Sequence, residues 1–217
     1  MNIKILTLKC NNIESTADFY QRLFNTGPHF RSESAVGFIV GGSTLIFEQS
    51  DVVNPVYHFA MDIPCNLLHD AFEFVSNCAT VLPVSEEQYF ADFKNWNAQS
   101  FYFLDNNGNV LEYICRYDRQ IEHPGPFNGQ QLISISEAGL PAEQTPQLMA
   151  KIMYSYPLMP YEKQPTLENF AALGDVNGLL ILSNIGRAWY PTQIPAAVFP
   201  ITIKFEVSGV NYEYHLP

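Results

Sequence analysis

The chain has 217 residues, with 22 acidic against 11 basic side chains and a formal net charge of −11. That length allows one large domain or two small ones with a real core, and a composition 47% hydrophobic and 14% aromatic excludes a disordered chain. The acid excess argues against a nucleic-acid partner or an anionic membrane surface, since both require a basic patch.

The opening MNIKILTLKC runs from one lysine into a strand-like segment, Ile3–Lys9, without a small-residue cleavage pattern. No apolar run approaches the roughly 18 residues of a membrane span. Cys10, Cys65, Cys78 and Cys115 are scattered and form no C-x-x-C pair, so they read as reduced cysteines packed as small hydrophobes. A cytoplasmic location is the resulting expectation.

The first helix is predicted between Asn12 and Phe24, with Ala17, Tyr20, Leu23 and Phe24 on one face and Asn25, Gly27 and Pro28 as stop signals. Strand-like runs follow at His29–Ser34, Val36–Val40 and Ser43–Glu48. A second leading strand, Val56–Ile63, precedes a helix over Asn66–Cys78. Val81–Tyr89, Gln99–Leu104 and Asn109–Arg116 then read as strands, with an aromatic and acidic insertion at Ser85–Asn97. The loop Asp118–Asn128, with Pro124 and Pro126, is the best boundary. A third leading strand, Gln131–Ala138, precedes a helix over Thr145–Tyr156 with Thr145 as N-cap and Pro146 at the first helical position. Asn169–Gly174, Leu179–Asn184 and Phe199–Val207 complete the series. Helices two and three share the i, i+1, i+4, i+5, i+8 stripe of a helix lying on a sheet. Gly41-Gly42, Asn107-Gly108 and Asn177-Gly178 supply hairpin chemistry.

The chain thus reads as strand–helix–strand–strand–strand three times, over residues 1–50, 51–117 and 130–217. The expected fold class is α+β, with repeated βαβββ modules pairing into curved mixed sheets around a cleft. One module exposes a sheet face and must pair with another. With modules one and two paired, the third would be left over, and a homodimer is expected to cover it.

Two stretches carry a family resemblance. Asn12-Ile13-Glu14-Ser15-Thr16-Ala17-Asp18-Phe19-Tyr20 resembles a D-L-x-x-S-x-x-F-Y helix start. Leu104-Asp105-Asn106-Asn107-Gly108-Asn109-Val110-Leu111-Glu112 resembles a D-P-x-G-N hairpin closed by an aliphatic residue and a glutamate, with Asn106 in place of the proline. His58-Phe59-Ala60-Met61-Asp62-Ile63-Pro64 is similar to a leading strand. Together these resemble the vicinal oxygen chelate superfamily, which includes glyoxalase I, bleomycin-resistance proteins and extradiol dioxygenases. The match covers residues 1–117 and extends to about 186 by pattern alone.

That resemblance implies four inward ligand positions, on the leading and last strands of two paired modules. His58 and Glu112 fill the two positions of module two. Aligned the same way, module one offers Ile5, then Ile46 or Glu48, and module three offers Ser134, then Ile181. A metal set would therefore be His58, Glu112 and Glu48, suited to Fe, Mn, Ni or Zn with open positions. Glu112 would be the catalytic carboxylate of a metal-dependent lyase, isomerase or dioxygenase. The expected partner is a small molecule bound between modules, with Trp96 covering a flat ligand and Arg187 pairing with an anionic one. The alternative is a metal-free binding or sequestration protein of the bleomycin-resistance type. His29, His69, His123 and His215 read as surface or packing residues.

Overall fold

A computed structural model describes residues 1–216. Strand β1 (Asn2–Cys10) leads into helix α1 (Ile13–Leu23), then β2 (Phe30–Arg31), β3 (Ala35–Val40) and β4 (Ser43–Gln49). Asn12 caps α1, its Oδ1 accepting from Ser15 N at 2.9 Å, with Glu14 in the first turn and Arg22 in the last to complement the helix dipole. The second unit is β5 (His58–Asp62), α2 (Leu68–Ser76), β6 (Thr80–Leu82), β7 (Ala91–Phe93), β8 (Ala98–Leu104) and β9 (Val110–Arg116). The third is β10 (Ser134–Ala142), α3 (Thr145–Ser155), β11 (Phe170–Asp175) and β12 (Gly178–Asn184), followed by the hairpin β13 (Ile201–Val207) and β14 (Val210–Leu216). Helix α3 begins one residue earlier than expected. Gln144 occupies the N-cap position, and Thr145 N and Oγ1 both donate to Asn184 Oδ1.

Two mixed sheets form. One runs β14-β13-β1-β4-β3-β2, the other β11-β12-β10-β5-β9-β8-β6, with β7 beside β8. Within each unit the leading strand lies parallel to the last strand of that unit, as β1 to β4, β5 to β9 and β10 to β12. Units two and three join where β5 and β10 run antiparallel. The cleft therefore lies between units two and three, not between one and two.

The third unit departs from the expected βαβββ pattern. Only β11 and β12 stay in its own sheet. The Phe199–Val207 run crosses to the other sheet as β13, antiparallel to β1, and β14 adds a strand that the sequence did not reveal. Unit three is thus paired with unit two inside one chain, and it is unit one, extended by the returning hairpin, that keeps an unpaired sheet face.

The three helices and one face of each sheet enclose a continuous core, including Leu6, Leu8, Phe38, Phe47, Phe59, Phe103, Leu140 and Phe205. Burying such side chains contributes about 1.5–3 kcal/mol each. The opposite face of the second sheet carries a separate cluster with Ala60, Trp96, Tyr102, Ile114, Ile181 and Trp189. The opposite face of the first sheet is open and polar. There Lys9 pairs with Glu48, and Lys204 with Glu213, at partly exposed positions.

The Asp105 hairpin ties unit one to unit two. Asp105 Oδ1 accepts from Asn107 N and Asn109 N at 2.8 Å each, and Oδ2 accepts from Asn109 Nδ2 and Tyr20 OH at 2.7 Å each. Gly108 takes φ +81° at the turn, a conformation that suits a residue without Cβ. Asn109 Oδ1 also accepts from Tyr57 N at 2.7 Å, which holds the start of β5 against β9. The motif thus sets the register of the two strands that carry His58 and Glu112.

Candidate metal centre and cavity

Strand alternation puts His58, Ala60 and Asp62 of β5 on the cleft face, with Glu112, Ile114 and Arg116 of β9 beside them. Ala60 pairs with Glu112, so His58 sits one inward step from it. On β10 the register slips between Ile135 and Glu137. This bulge turns Glu137 into the cleft, because an extra residue inverts which side chains face inward. Gly139 pairs with Ile181 just as Ala60 pairs with Glu112, so Glu137 and Ile181 are the symmetry counterparts of His58 and Glu112.

His58 Nε2 lies 3.9 Å from Glu112 Oε2 and 4.0 Å from Glu137 Oε2. All three residues are buried, and one potential ligand atom from each lies within 4.8 Å of the other two. His58 Nδ1 lies 3.0 Å from Val110 O. Nδ1 therefore carries the proton and donates, leaving the Nε2 lone pair facing the two carboxylates, the tautomer a metal ligand needs. Burial lowers the His58 pKa to about 4, so near neutrality the ring is uncharged and these contacts are not ion pairs.

Burial, and next to it the Glu137 carboxylate, raise the Glu112 pKa to about 8, while Ser100, Arg116 and Tyr102 pull it partway back. Burial also raises Glu137, opposed by Arg116. Burial pulls the Arg116 pKa down, but Asp62, Glu137 and Glu112 more than offset it, and the guanidinium stays charged. Arg116 Nε donates to Asp62 Oδ1 at 3.2 Å and Nη2 donates to Glu137 Oε1. Arg119 Nη1 donates to the other Asp62 oxygen. Asp62 and Glu137 thus have cationic partners in hydrogen-bond contact, and Glu112 has none among the described residues.

The donor set fits a divalent ion. One neutral imidazole nitrogen and two carboxylate oxygens suit Fe, Mn, Ni or Zn. A cation bound at about 2.1 Å holds its ligand atoms roughly 3–3.4 Å apart, so His58 Nε2, at 3.9 and 4.0 Å, would close on each carboxylate by about an ångström or less. A dication would also relieve Glu112, a buried carboxylate with no cationic hydrogen-bond partner among the described residues.

Above this floor opens a cavity of about 320 Å³, within the usual range for small-molecule sites. Trp96, Trp189, Tyr102, Phe170 and Ile181 form much of its wall, with Arg187 and Tyr190 also lining it. Trp189 packs over His58 with ring centroids 5.0 Å apart. Gly139 permits this approach: a Cβ there would meet the Trp189 ring at 2.8 Å and His58 O at 3.0 Å. Trp96 Nε1 donates to Gln164 Oε1 at 3.2 Å, and its ring lies under the Arg116 guanidinium.

The sequence-predicted residues are divided between two places. His58, Glu112, Trp96 and Arg187 all line this cavity. Glu48 does not join them. It lies on β4 in the other sheet, 2.5 Å from Lys9 Nζ, and Ile46 shares that open face. Ser134, the expected leading position of unit three, pairs with Asp62 at the strand start, and Glu137 takes the inward place. The other four histidines lie outside the cavity lining. Glu137 was missed because the bulge breaks the alternation that locates inward positions. Its signal, a single carboxylate in a strand that otherwise carries only apolar residues and two serines, is close to the one that marked Glu112.

No family model matches the chain, and no curated protein matches it in sequence. Among solved structures it is similar to a candidate dioxygenase from Bacillus subtilis strain 168, with a TM-score of 0.61 and 13% identity over 99% of this chain and 84% of that one. It is also similar to a variant of glyoxalase I from Zea mays, with a TM-score of 0.52 and 15% identity over 90% of this chain and 70% of that one. With leading strands parallel to last strands and two units joined around an inward-facing His–Glu–Glu cluster, the chain has the paired-module fold of the vicinal oxygen chelate superfamily.

Proposed function

We propose that the chain binds a divalent transition metal through His58 Nε2, Glu112 and Glu137, and a small molecule in the cavity above. What supports the reading is one convergence: a lone pair held by the Val110 contact and two buried carboxylates meet at the floor of an aromatic cavity. A bound cation would act there as a Lewis acid toward a chelating pair of ligand oxygens. This chain's own residues do the remaining work. Arg116 holds one Glu137 oxygen and leaves the other facing His58. Glu112, free of a salt-bridge partner, is the group we assign to take up and return a proton. Trp189 and Tyr102 exclude water from the floor. The reaction class is that of a metal-dependent lyase, isomerase or dioxygenase.

One observation favours the metal-free alternative, a binding protein. Arg116 already neutralises Glu137, and a Glu112 that keeps its proton to about pH 8 leaves the floor without an unpaired charge.

The test is metal content by elemental analysis on protein purified without chelator or histidine tag, before and after reconstitution with Mn, Fe, Ni and Zn. We expect about one ion per chain, lost in His58→Ala, Glu112→Gln and Glu137→Gln. Absence of metal after reconstitution leaves the metal-free reading.

A further inference from the structure

We propose that Arg187 selects the ligand by charge, and that the class admitted is a planar aromatic carboxylate, bound with its carboxylate at the cavity mouth and its ring inward. This rests on the cavity of the reading above and not on its metal.

Arg187 lines the cavity while its guanidinium stacks on Phe170, 4.6 Å from the ring centroid. No ion pair or side-chain hydrogen bond among the described residues engages it, and burial is the sole influence on its proton affinity. In a chain with twice as many acids as bases, a half-buried cation facing a cavity without a carboxylate beside it calls for a partner from outside. With the guanidinium carbon over the Phe170 ring and none of its N–H groups engaged by a side chain among the described residues, the fork that grips a carboxylate through two hydrogen bonds remains available. The backbone around it is held on both sides: Arg187 N donates to Asn184 O at 3.1 Å, and Ala196 N donates to Arg187 O at 2.8 Å. The side chain therefore starts from a fixed point.

Charge sets the orientation. At the floor the Arg116 guanidinium is already taken by Asp62 and Glu137, while Arg187, which lines the cavity together with the substantially exposed Leu167 and Tyr190, has no such partner among the described residues. An anionic group is favoured only at the mouth. Between mouth and floor the wall is Trp96, Trp189, Tyr102 and Phe170, and flat rings pair well with flat rings. A ligand bound this way presents the end opposite its carboxylate to His58, Glu112 and Glu137.

Trp96 and Trp189 are the only tryptophans in the chain, and both line this cavity, so intrinsic fluorescence reports the site directly. The experiment titrates chelator-treated protein with benzoate and with its neutral isostere benzamide. In the native sequence, benzoate should bind about tenfold or more tightly than benzamide, as expected of a charge-assisted bidentate pair. Arg187→Gln should abolish that preference by lowering benzoate affinity to the level of benzamide, and Arg187→Lys should restore part of it. Both variants should still melt cooperatively, with at most the modest loss of the Phe170 contact in Arg187→Gln, since no side-chain hydrogen bond or ion pair among the described residues is removed. Equal affinity for the two probes, a preference that survives Arg187→Gln, or no saturable response to either probe would each overturn the proposal. Repeating the titration with Mn-loaded protein separates the two readings. A benzoate preference present only with metal, and indifferent to Arg187→Gln, would put the carboxylate at the floor and also overturn it. Failure to load metal would leave the chelator-treated result standing.

Discussion

Glu137 divides its two oxygens between Arg116 and His58: Oε1 accepts from the guanidinium, and Oε2 stands 4.0 Å from His58 Nε2. One carboxylate thus links a buried charge network with the candidate metal centre. Asp62 and Arg119 complete the network on the far side of Arg116. Arg116 is a positioning residue in this arrangement: among the described residues its hydrogen bond to the centre is to Glu137, and it acts on Glu112 through charge alone.

Removing Arg116 strips Asp62 and Glu137 of a buried counter-charge. Arg116→Met is expected to destabilise the protein by roughly 3–5 kcal/mol, the usual cost of leaving a buried ion unpaired. Urea unfolding measures it. A loss below about 1 kcal/mol would mean that the Arg116 contacts do not hold the fold together, with Arg119 sufficing for Asp62.

Stability of the metal-free protein should fall with rising pH just above neutrality. The folded Glu112 value of about 8 lies above its ordinary 4.5, so its protonated form is favoured by folding. That contribution is complete below 4.5 and is lost as pH rises through 8. The folded His58 value of about 4 lies below its ordinary 6.5. Its contribution is present above 6.5 and is lost as pH falls through 4. The two oppose each other between 4.5 and 6.5, and between 6.5 and 8 Glu112 acts alone of the two, in the same direction as the raised Glu137. Over that upper window the loss should be roughly 2 kcal/mol. Glu112→Gln should flatten the melting temperature there. An equally steep decline in that variant would assign the effect to another group.

Glu48→Gln should be almost silent. Its Lys9 pair is partly exposed, and such pairs contribute about 0–1 kcal/mol. Metal content should equal that of the parent, whereas Glu137→Gln should lose it. Elemental analysis of the two variants side by side decides between the sequence-predicted third ligand and the one proposed here.

Tyr20→Phe should cost roughly 1–3 kcal/mol, because Asp105 is buried and would lose one of its four donors. Asp105→Ala should cost more, since it leaves Tyr20 OH, Asn109 Nδ2 and two backbone N–H groups without their acceptor. Chemical denaturation of both variants tests the ranking. A larger effect for Tyr20→Phe would mean that the Asp105 carboxyl is not the hub of this hairpin.

The sequence by itself determined local structure and one half of the site. Residue periodicity located α1, α2 and α3 and nearly all the strands, because a helix stripe or an alternating strand is written within a dozen residues. The Asp105-to-Glu112 hairpin was readable for the same reason: its hydrogen bonds close within a few positions, and they bring Glu112 beside His58. Only the tertiary structure decided the rest. Which units share a cleft depends on β5 meeting β10 and on β13 leaving its own unit for β1, and strand pairing across such distances leaves no local mark. The third carboxylate depends on a bulge between Ile135 and Glu137, and a slip of one residue there exchanges the inward and outward faces of the strand. Glu48 and Glu137 were alike as sequence features, each a carboxylate on a strand. Their environments separate them: one meets Lys9 on an open sheet face, and the other meets Arg116 and His58 in the interior.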